Sequence, residues 1–467
     1  MDLRGRRSGV RCVLSVCRAE ALVAELLGLL SGAARGRAGR RDAAEIRQKG
    51  PDVPPVPDDA GARRRTGAGP VIVLALVLAL AAVLLTALPD DDREGGRTCT
   101  ARTVRDWDPD EPLTGEFARY GDDATRTDDW TGGDGTHSVR LPDGRVLWLF
   151  SDTYLGQVHA PPNPVGESVA WRDVATPLLR NSAVVMSPSG RLESTLPAPV
   201  FPDPAPRQWR WPVAARVEPR SPGSAEKVVR VLLWTRTAGQ APWIYGVPTA
   251  TEVATLSLPA LRLEGITTVL DQASVADPAR RVLFGTTAVD AGDWTYVFGG
   301  TDAQAASRPT SHAYVARVPR GRLGEPGAWE YWDGSRWAVR ARPAAVLGDG
   351  EDKGVGSAFS VVRDGRTYVL FTMAAGTEGL TTVTAYWACS PTGPWHGPSK
   401  GFGPPLPKDG VAAYNPQAHE ALGGDGRLVL SYDVNWLDAN AAAAQLNITR
   451  DVSLYRPRFV SLRLAAP

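Results

Sequence analysis

The chain has 467 residues and carries 52 Lys+Arg against 51 Asp+Glu, a net charge of +1. That balance excludes a nucleic-acid binder driven by basic excess. The length suits two or three ordinary domains or one large architecture, and four cysteines without zinc spacing exclude a disulfide scaffold.

Residues 1–69 hold a net charge of +6, leaving −5 for the remainder. They are expected to form a basic, largely disordered tail with one short helix near Val13–Leu30 and a stiff linker over Pro51–Pro57. Val71–Leu88 then runs for eighteen residues without a charge, near the lower limit for crossing a bilayer core of about 30 Å. Arg63, Arg64 and Arg65 precede this run, and Asp90, Asp91 and Asp92 follow it. The segment 70–89 is therefore expected to be a single transmembrane helix, with the N-terminus cytoplasmic and everything beyond it outside the plasma membrane. A cleaved signal peptide fits less well, because 69 residues precede the apolar run and no small-x-small site follows it. On this topology Cys12 and Cys17 are reduced, whereas Cys99 and Cys389 face an oxidising compartment and can staple the start of the exterior region to its last third.

Residues 90–124 are expected to be a linker and lead-in, and 125–467 a single all-β domain. Short β-branched and aromatic runs recur there between Gly, Pro and Asp turns, with almost no helical periodicity. Five runs look alike: Gly144–Asp152, Lys227–Trp234, Asp293–Gly299, Gly365–Phe371 and Gly426–Tyr432. Three follow an Asp-Gly pair (Asp143-Gly144, Asp364-Gly365, Asp425-Gly426) of the kind that closes tight hairpins. Four have an upstream partner, at Thr136–Leu141, Arg281–Ala288, Ser357–Val362 and Ala413–Leu422. All five have a downstream strand, at Ser182–Met186, Glu252–Leu258, His312–Val318, Thr381–Ala388 and Arg458–Leu464. From Trp148 to Leu232, Tyr296, Tyr368 and Leu430 the steps are 84, 64, 72 and 62 residues. Those steps are too long for WD-type repeats of about 40–45 residues. They predict a five-bladed β-propeller of four-stranded blades with long connections.

Hydrolysis of a glycosidic bond needs two carboxyl groups, one protonated and one ionised, and a propeller brings the ends of its inner strands to one axial opening. Asp134 lies just before the first strand of the first blade and Asp152 just after the second, so the hairpin between them returns both to one rim. Their bland alternatives are a turn aspartate and a strand cap. Glu351 and Asp352 precede the strand Ser357–Val362 and are candidates for the opposing acid; Asp271 ranks below them. Asn181, Asn415 and Trp130 are candidate sugar contacts, the first two through amide hydrogen bonds and the third by stacking. All 15 Trp lie beyond residue 106; most fit between blades, and Trp130, Trp209, Trp211 and Trp436 lie nearest to loops. Five histidines are too few for a multi-histidine metal site, so no cofactor is expected, with calcium among axial carboxylates as the alternative. No P-loop, Gly-x-Ser-x-Gly or His-Glu-x-x-His string occurs.

The stretch Trp130–Thr153 (WTGGDGTHSVRLPDGRVLWLFSDT) resembles the opening blade of a widespread actinobacterial family of unknown function. Ser390–Trp395, Tyr414–Leu422, Leu430–Asn435 and Tyr455–Phe459 are similar to that family's later parts. The resemblance covers roughly 125–465 and departs from the pattern at Glu420, where proline is usual, and Ser151, where glycine is usual. Members resemble five-bladed propeller glycoside hydrolases, the group of arabinanases, levansucrases and invertases, and some relatives are endo-D-arabinanases. The resemblance implies a membrane-anchored hydrolase, endo-acting on arabinan-type or other envelope polysaccharide, and it carries His419 as a site residue. The alternative is a non-catalytic propeller that binds envelope glycan or a protein partner, since one fold hosts both roles.

Overall fold

A computed structural model describes residues 99–302, 304, 311–348, 353–373, 382–436 and 441–467. The tail expected over 1–69 and the span expected over 70–89 lie outside the described residues. Among the described residues no helix is long and apolar enough to cross a membrane.

The chain opens with strand β1 (Thr103–Pro109) and helix α1 (Glu111–Gly121). Asp110 caps α1 by accepting from the Leu113 amide at 3.1 Å, and Pro112 fits the first turn, where its missing N–H costs nothing. Next come β2 (Trp130–Gly133), β3 (His137–Arg140), β4 (Val146–Phe150), β5 (Thr153–Leu155), β6 (Leu178–Leu179), β7 (Ser182–Met186) and β8 (Leu192–Thr195). They divide into a sheet of order β3-β4-β7-β8 and a small sheet of order β2-β5-β6. The second blade-like sheet is β9 (Gln208–Pro219), β10 (Lys227–Thr237), β11 (Val247–Ser257) and β12 (Leu263–Asp271). The third is β13 (Val282–Ala291), β14 (Trp294–Thr301), β15 (Ala313–Pro319), β16 (Glu330–Trp332) and β17 (Trp337–Ala338). The fourth is β18 (Ser360–Asp364), β19 (Thr367–Thr372) and β20 (Thr384–Ala388). The fifth contains β21 (Val411–Gly424), β22 (Arg427–Trp436) and β23 (Pro457–Ala465), with helix α2 (Ala441–Arg450) inserted before β23. Its outer edge is β1, paired antiparallel from Thr103↔Ala465 to Pro109↔Val460.

The inner strands β3, β9, β13, β18 and β21 neighbour one another in that order, and β21 returns to β3. The ring is closed, and the arrangement is propeller-like. Five apolar clusters lie one at each junction between adjacent sheets. Middle strands such as β4, Val-Leu-Trp-Leu-Phe, are apolar throughout because neighbouring sheets cover both of their faces. Phe117 and Tyr120 of α1 fill the junction between the first and fifth sheets, against Trp148 and Phe459. A central cavity of about 410 Å³ follows the axis between the inner strands.

The sheets depart from the four-stranded blades expected, with five strands in the third, three in the fourth and a separate small sheet β2-β5-β6, and helix α2 interrupts the all-β pattern. Two further elements also differ. The lead-in carries β1 and α1, so it contributes an edge strand of the last sheet. The second sheet also has its upstream partner, β9, where the sequence showed none. Pro212 masks it: proline reads as a strand breaker, and here it sits opposite Leu233 beside the bulge at Val213, where the register slips between Leu232 and Leu233. Cys99 and Cys389 form a disulfide across 290 residues, tying the segment before β1 to the loop after β20.

Candidate functional site

β2 and β3 are one run of chain that changes sheets at Asp134-Gly135-Thr136, while β4 and β5 change sheets at Ser151-Asp152. The two break points face each other. The Asp134 amide donates to the Asp152 carbonyl at 3.1 Å, and the Ser151 amide donates to the Asp134 carbonyl at 2.7 Å. Gly135 has φ +63°, and a side chain there would collide with Ser151. Local hairpin geometry thus brings Asp134 and Asp152 to one rim.

Ring closure delivers a third carboxylate. Asp433, in the middle of β22, is fully buried and accepts from the Gly135 amide at 2.7 Å, the Thr136 hydroxyl at 2.7 Å and the Asn415 amide at 3.2 Å. Asn415 stands at φ +50°, a conformation that asparagine tolerates and that directs its amide to Asp433. Tyr414, beside it, donates its hydroxyl to Asp134 at 2.9 Å, and the Tyr455 phenol lowers the pKa of the Asp134 carboxyl from nearby. Asp152 has different company. Arg180 grips both of its oxygens at 3.1 and 2.9 Å, and the Trp211 indole donates to it at 2.7 Å.

These surroundings separate the protonation of the three groups. Burial pushes the Asp134 carboxyl well above the usual range, and the negative charges of Asp433 and Asp152 push it further. Burial raises Asp433 to about 6, against its ring of donors. Burial raises Asp152 as well, but Arg180, Trp211 and Arg236 pull it back. Among the described residues neither Asp134 nor Asp433 is ion-paired, and Asp134 bears the added charge of both other carboxylates, so of the three it is the group that keeps a proton nearest to neutrality. Tyr414 and Tyr455 are raised by burial first and by Asp134 next, which keeps both phenols protonated as donors.

The other sequence candidates fall in different places. Glu351 and Asp352 lie outside the described residues. Asn181 is fully buried, donates to the Phe201 and Arg210 carbonyls at 2.9 and 3.1 Å and accepts from the Phe201 amide at 2.9 Å. Its amide clips backbone and offers nothing to a ligand. Trp130 is fully buried, with Phe117 and Phe150 at 5.7 and 4.8 Å, so it is core and no stacking surface. His419 is buried too, bonded through Nδ1 to Ser138 and through Nε2 to Ser431, both at 2.8 Å. It faces the axial cavity together with His137 and Glu420. Asp271 ends β12 and accepts from the Ala273 amide in a turn. Among the described residues, no group of three or more His, Cys, Asp or Glu is arranged to hold a metal ion.

Asp433, Tyr414, Tyr455 and Arg180 were not singled out in the sequence. An aspartate inside the apolar run Leu-Val-Leu-Ser-Tyr-Asp-Val was the available signal, because burying a carboxylate there needs a compensating reason.

The fold and site define a class: a propeller-like β protein with an acidic, tyrosine-lined centre beside the start of its inner strand β3. Residues 117–463 match the family described as a domain of unknown function, DUF5005, and the chain belongs to that family. No curated protein shows significant sequence similarity to it. Among solved structures, it is similar to a protein of Bacteroides ovatus provisionally described as a hydrolase, at 18% identity and a TM-score of 0.56, covering 80% of this chain and 97% of that one. A weaker likeness is to an α-L-arabinofuranosidase from Podospora anserina, in complex with cellotriose, at 10% identity and a TM-score of 0.41, covering 73% and 98%. Another is to an exo-1,5-α-L-arabinanase from a bovine ruminal metagenomic library, at 9% identity and a TM-score of 0.38, covering 72% and 93%. At these identities the likeness concerns the fold alone.

Proposed function

We propose that the chain is a glycoside hydrolase, endo-acting on arabinan-type or other cell-envelope polysaccharide, anchored to the plasma membrane by the segment 70–89. One observation carries the reading. Asp134, Asp152 and Asp433 converge from separate segments on one hydrogen-bonded cluster beside the start of the inner strand β3, in surroundings that push their protonation apart. Paired carboxyls with separated pKa values are what acid–base cleavage of a glycosidic bond requires. Asp134, the group that holds its proton, serves as the acid: it protonates the leaving-group oxygen as the C–O bond breaks. An ionised carboxylate assists attack at the anomeric carbon, as nucleophile or by activating water. Among the described residues Asp152 takes that role, and Glu351 or Asp352, which precede β18 in the chain, are the alternatives. Tyr414 and Asn415 position Asp134 and Asp433. The Cys99–Cys389 disulfide supports an extracytoplasmic location, because such bonds persist in oxidising compartments.

A second reading, a non-catalytic propeller that binds envelope glycan, draws on one specific feature. Arg180 occupies both oxygens of Asp152, which leaves that carboxylate less free to act on water. Incubating residues 98–467 with arabinogalactan, arabinan, levan and xylan separates the two. Released oligosaccharide supports hydrolysis, and retention without release supports binding.

A further inference from the structure

The loop from Ala238 to Gly246, between β10 and β11, exposes two large side chains side by side: Ile244 at 71% and Tyr245 at 58%. Adjacent in the chain, the two form a contiguous apolar patch of the kind that marks a binding surface. Flexibility does not account for them, because the backbone beneath is clamped. Arg236, almost fully buried and paired with the equally buried Asp302, donates to the Tyr245 carbonyl at 2.9 Å and the Gly246 carbonyl at 2.8 Å. Gln304 accepts from the Tyr245 amide at 2.7 Å and donates to the Gly246 carbonyl at 3.2 Å. Gly246 turns at φ +84°, and a Cβ there would sit 2.5 Å from the Trp209 ring. An exposed tyrosine is thus mounted on a buried, ion-paired base.

That base adjoins the acidic centre. The guanidinium of Arg236 lies 4.9 Å from the centroid of Trp211, whose indole nitrogen donates to Asp152. Arg180, which grips Asp152, lies 4.5 Å over Trp209, the ring packed against Gly246. The charge of Asp134 is also felt at the Tyr245 phenol. The platform and the carboxylates therefore share one rim and one set of supports.

We infer that Tyr245 is a sugar-stacking platform at the mouth of the site, with Ile244 extending its apolar edge, and that it sets which glycan units are held beside the cleaved bond. The inference rests on the glycoside hydrolase reading above and adds a specificity-determining residue to it. An aromatic face carried on a clamped backbone binds the C–H face of a sugar ring at reduced ordering cost, since the backbone beneath it is already fixed. It touches no reacting atom, so it contributes to holding substrate and not to the chemical step.

The test is a comparison of Tyr245→Ala, Tyr245→Phe and wild type on the glycan that wild type cleaves, together with oligosaccharide binding to Asp134→Asn and to the double variant Asp134→Asn/Tyr245→Ala. Stacking predicts a rise in KM of about tenfold for Tyr245→Ala with kcat within a few-fold, near-wild-type behaviour for Tyr245→Phe, and the same weakening in the two inactive proteins. Unchanged KM and binding in Tyr245→Ala, while wild type still cleaves, overturns the platform and leaves the hydrolase reading standing. Binding that weakens in the double variant, with no cleavage by wild type, keeps the platform and overturns hydrolysis. A wild-type protein that neither cleaves nor binds any of the four glycans overturns both.

Discussion

The amide nitrogen of Asp134 donates to the carbonyl oxygen of Asp152 at 3.1 Å, which fixes two acidic residues eighteen positions apart at facing breaks between strands. The charge of Asp152 raises the pKa of the Asp134 carboxyl, so the two cannot both ionise freely unless one is compensated. Arg180 and Trp211 compensate Asp152, and nothing cationic compensates Asp134. The asymmetry follows from the backbone pairing and from which loops reach each side chain.

Tyr414→Phe removes the hydroxyl that donates to Asp134 and pulls its pKa down. The carboxyl of the variant then holds its proton to higher pH. If Asp134 is the acid, the basic limb of the kcat/KM profile moves upward, and activity at the optimum falls by about tenfold through lost positioning. A pH–rate profile of the two proteins checks this; a basic limb that stays put or moves down contradicts it.

His137 and His419 predict sensitivity to acid. Burial lowers both to about 3, so the folded protein holds them neutral while the unfolded chain takes up protons near 6.5. Their contribution to stability is complete above pH 6.5 and is lost progressively as pH falls below it. Asp433, raised to about 6, acts in the opposite sense: its contribution falls as pH rises from about 4 through 6. His137→Gln isolates the histidine effect. Thermal melts at pH 7.5 and 5.0 should show a smaller acid-induced drop in Tm for the variant than for wild type, and equal drops would contradict the assignment.

Asn181→Ala is expected to destabilise the fold without touching catalysis. It strands the Phe201 amide and two carbonyls in the interior, a cost of about 2–4 kcal/mol. Denaturant unfolding should show that loss, while KM per folded molecule stays at the wild-type value. A raised KM with unchanged stability would return Asn181 to the substrate.

Reduction of Cys99–Cys389 frees the strand that completes the fifth sheet. In the chain-entropy picture, cross-linking so long a loop is worth about 6 kcal/mol at most, so the reduced protein should melt well below the oxidised one. Equal Tm values with and without reductant would show that β1 needs no staple.

The repeat, the Asp-Gly hairpins and the middle strands were legible because each is local. Asp425 and Gly426, at φ +52° and +72°, form the turn that their dipeptide favours. Asp134 and Asp152 were legible for the same reason, since one hairpin joins them. Asp433 and Tyr414 were not, because they reach Asp134 only when β21 and β22 return to β3 after nearly 300 residues. Asn181 and Trp130 show the converse. Their residue types suit sugar binding, but burial decides their role, and burial depends on what the ring packs over them.

The central claim is that the clustered carboxylates cleave a glycan, and the measurement that tests it most directly is oligosaccharide release by residues 98–467 and by the same protein carrying Asp134→Asn. Wild type is predicted to release oligosaccharides from an arabinan-type polymer, with the variant folded, melting close to wild type and slower by about a thousandfold or more. Release at equal rates by the two proteins, or none by either from any envelope glycan offered, would contradict it.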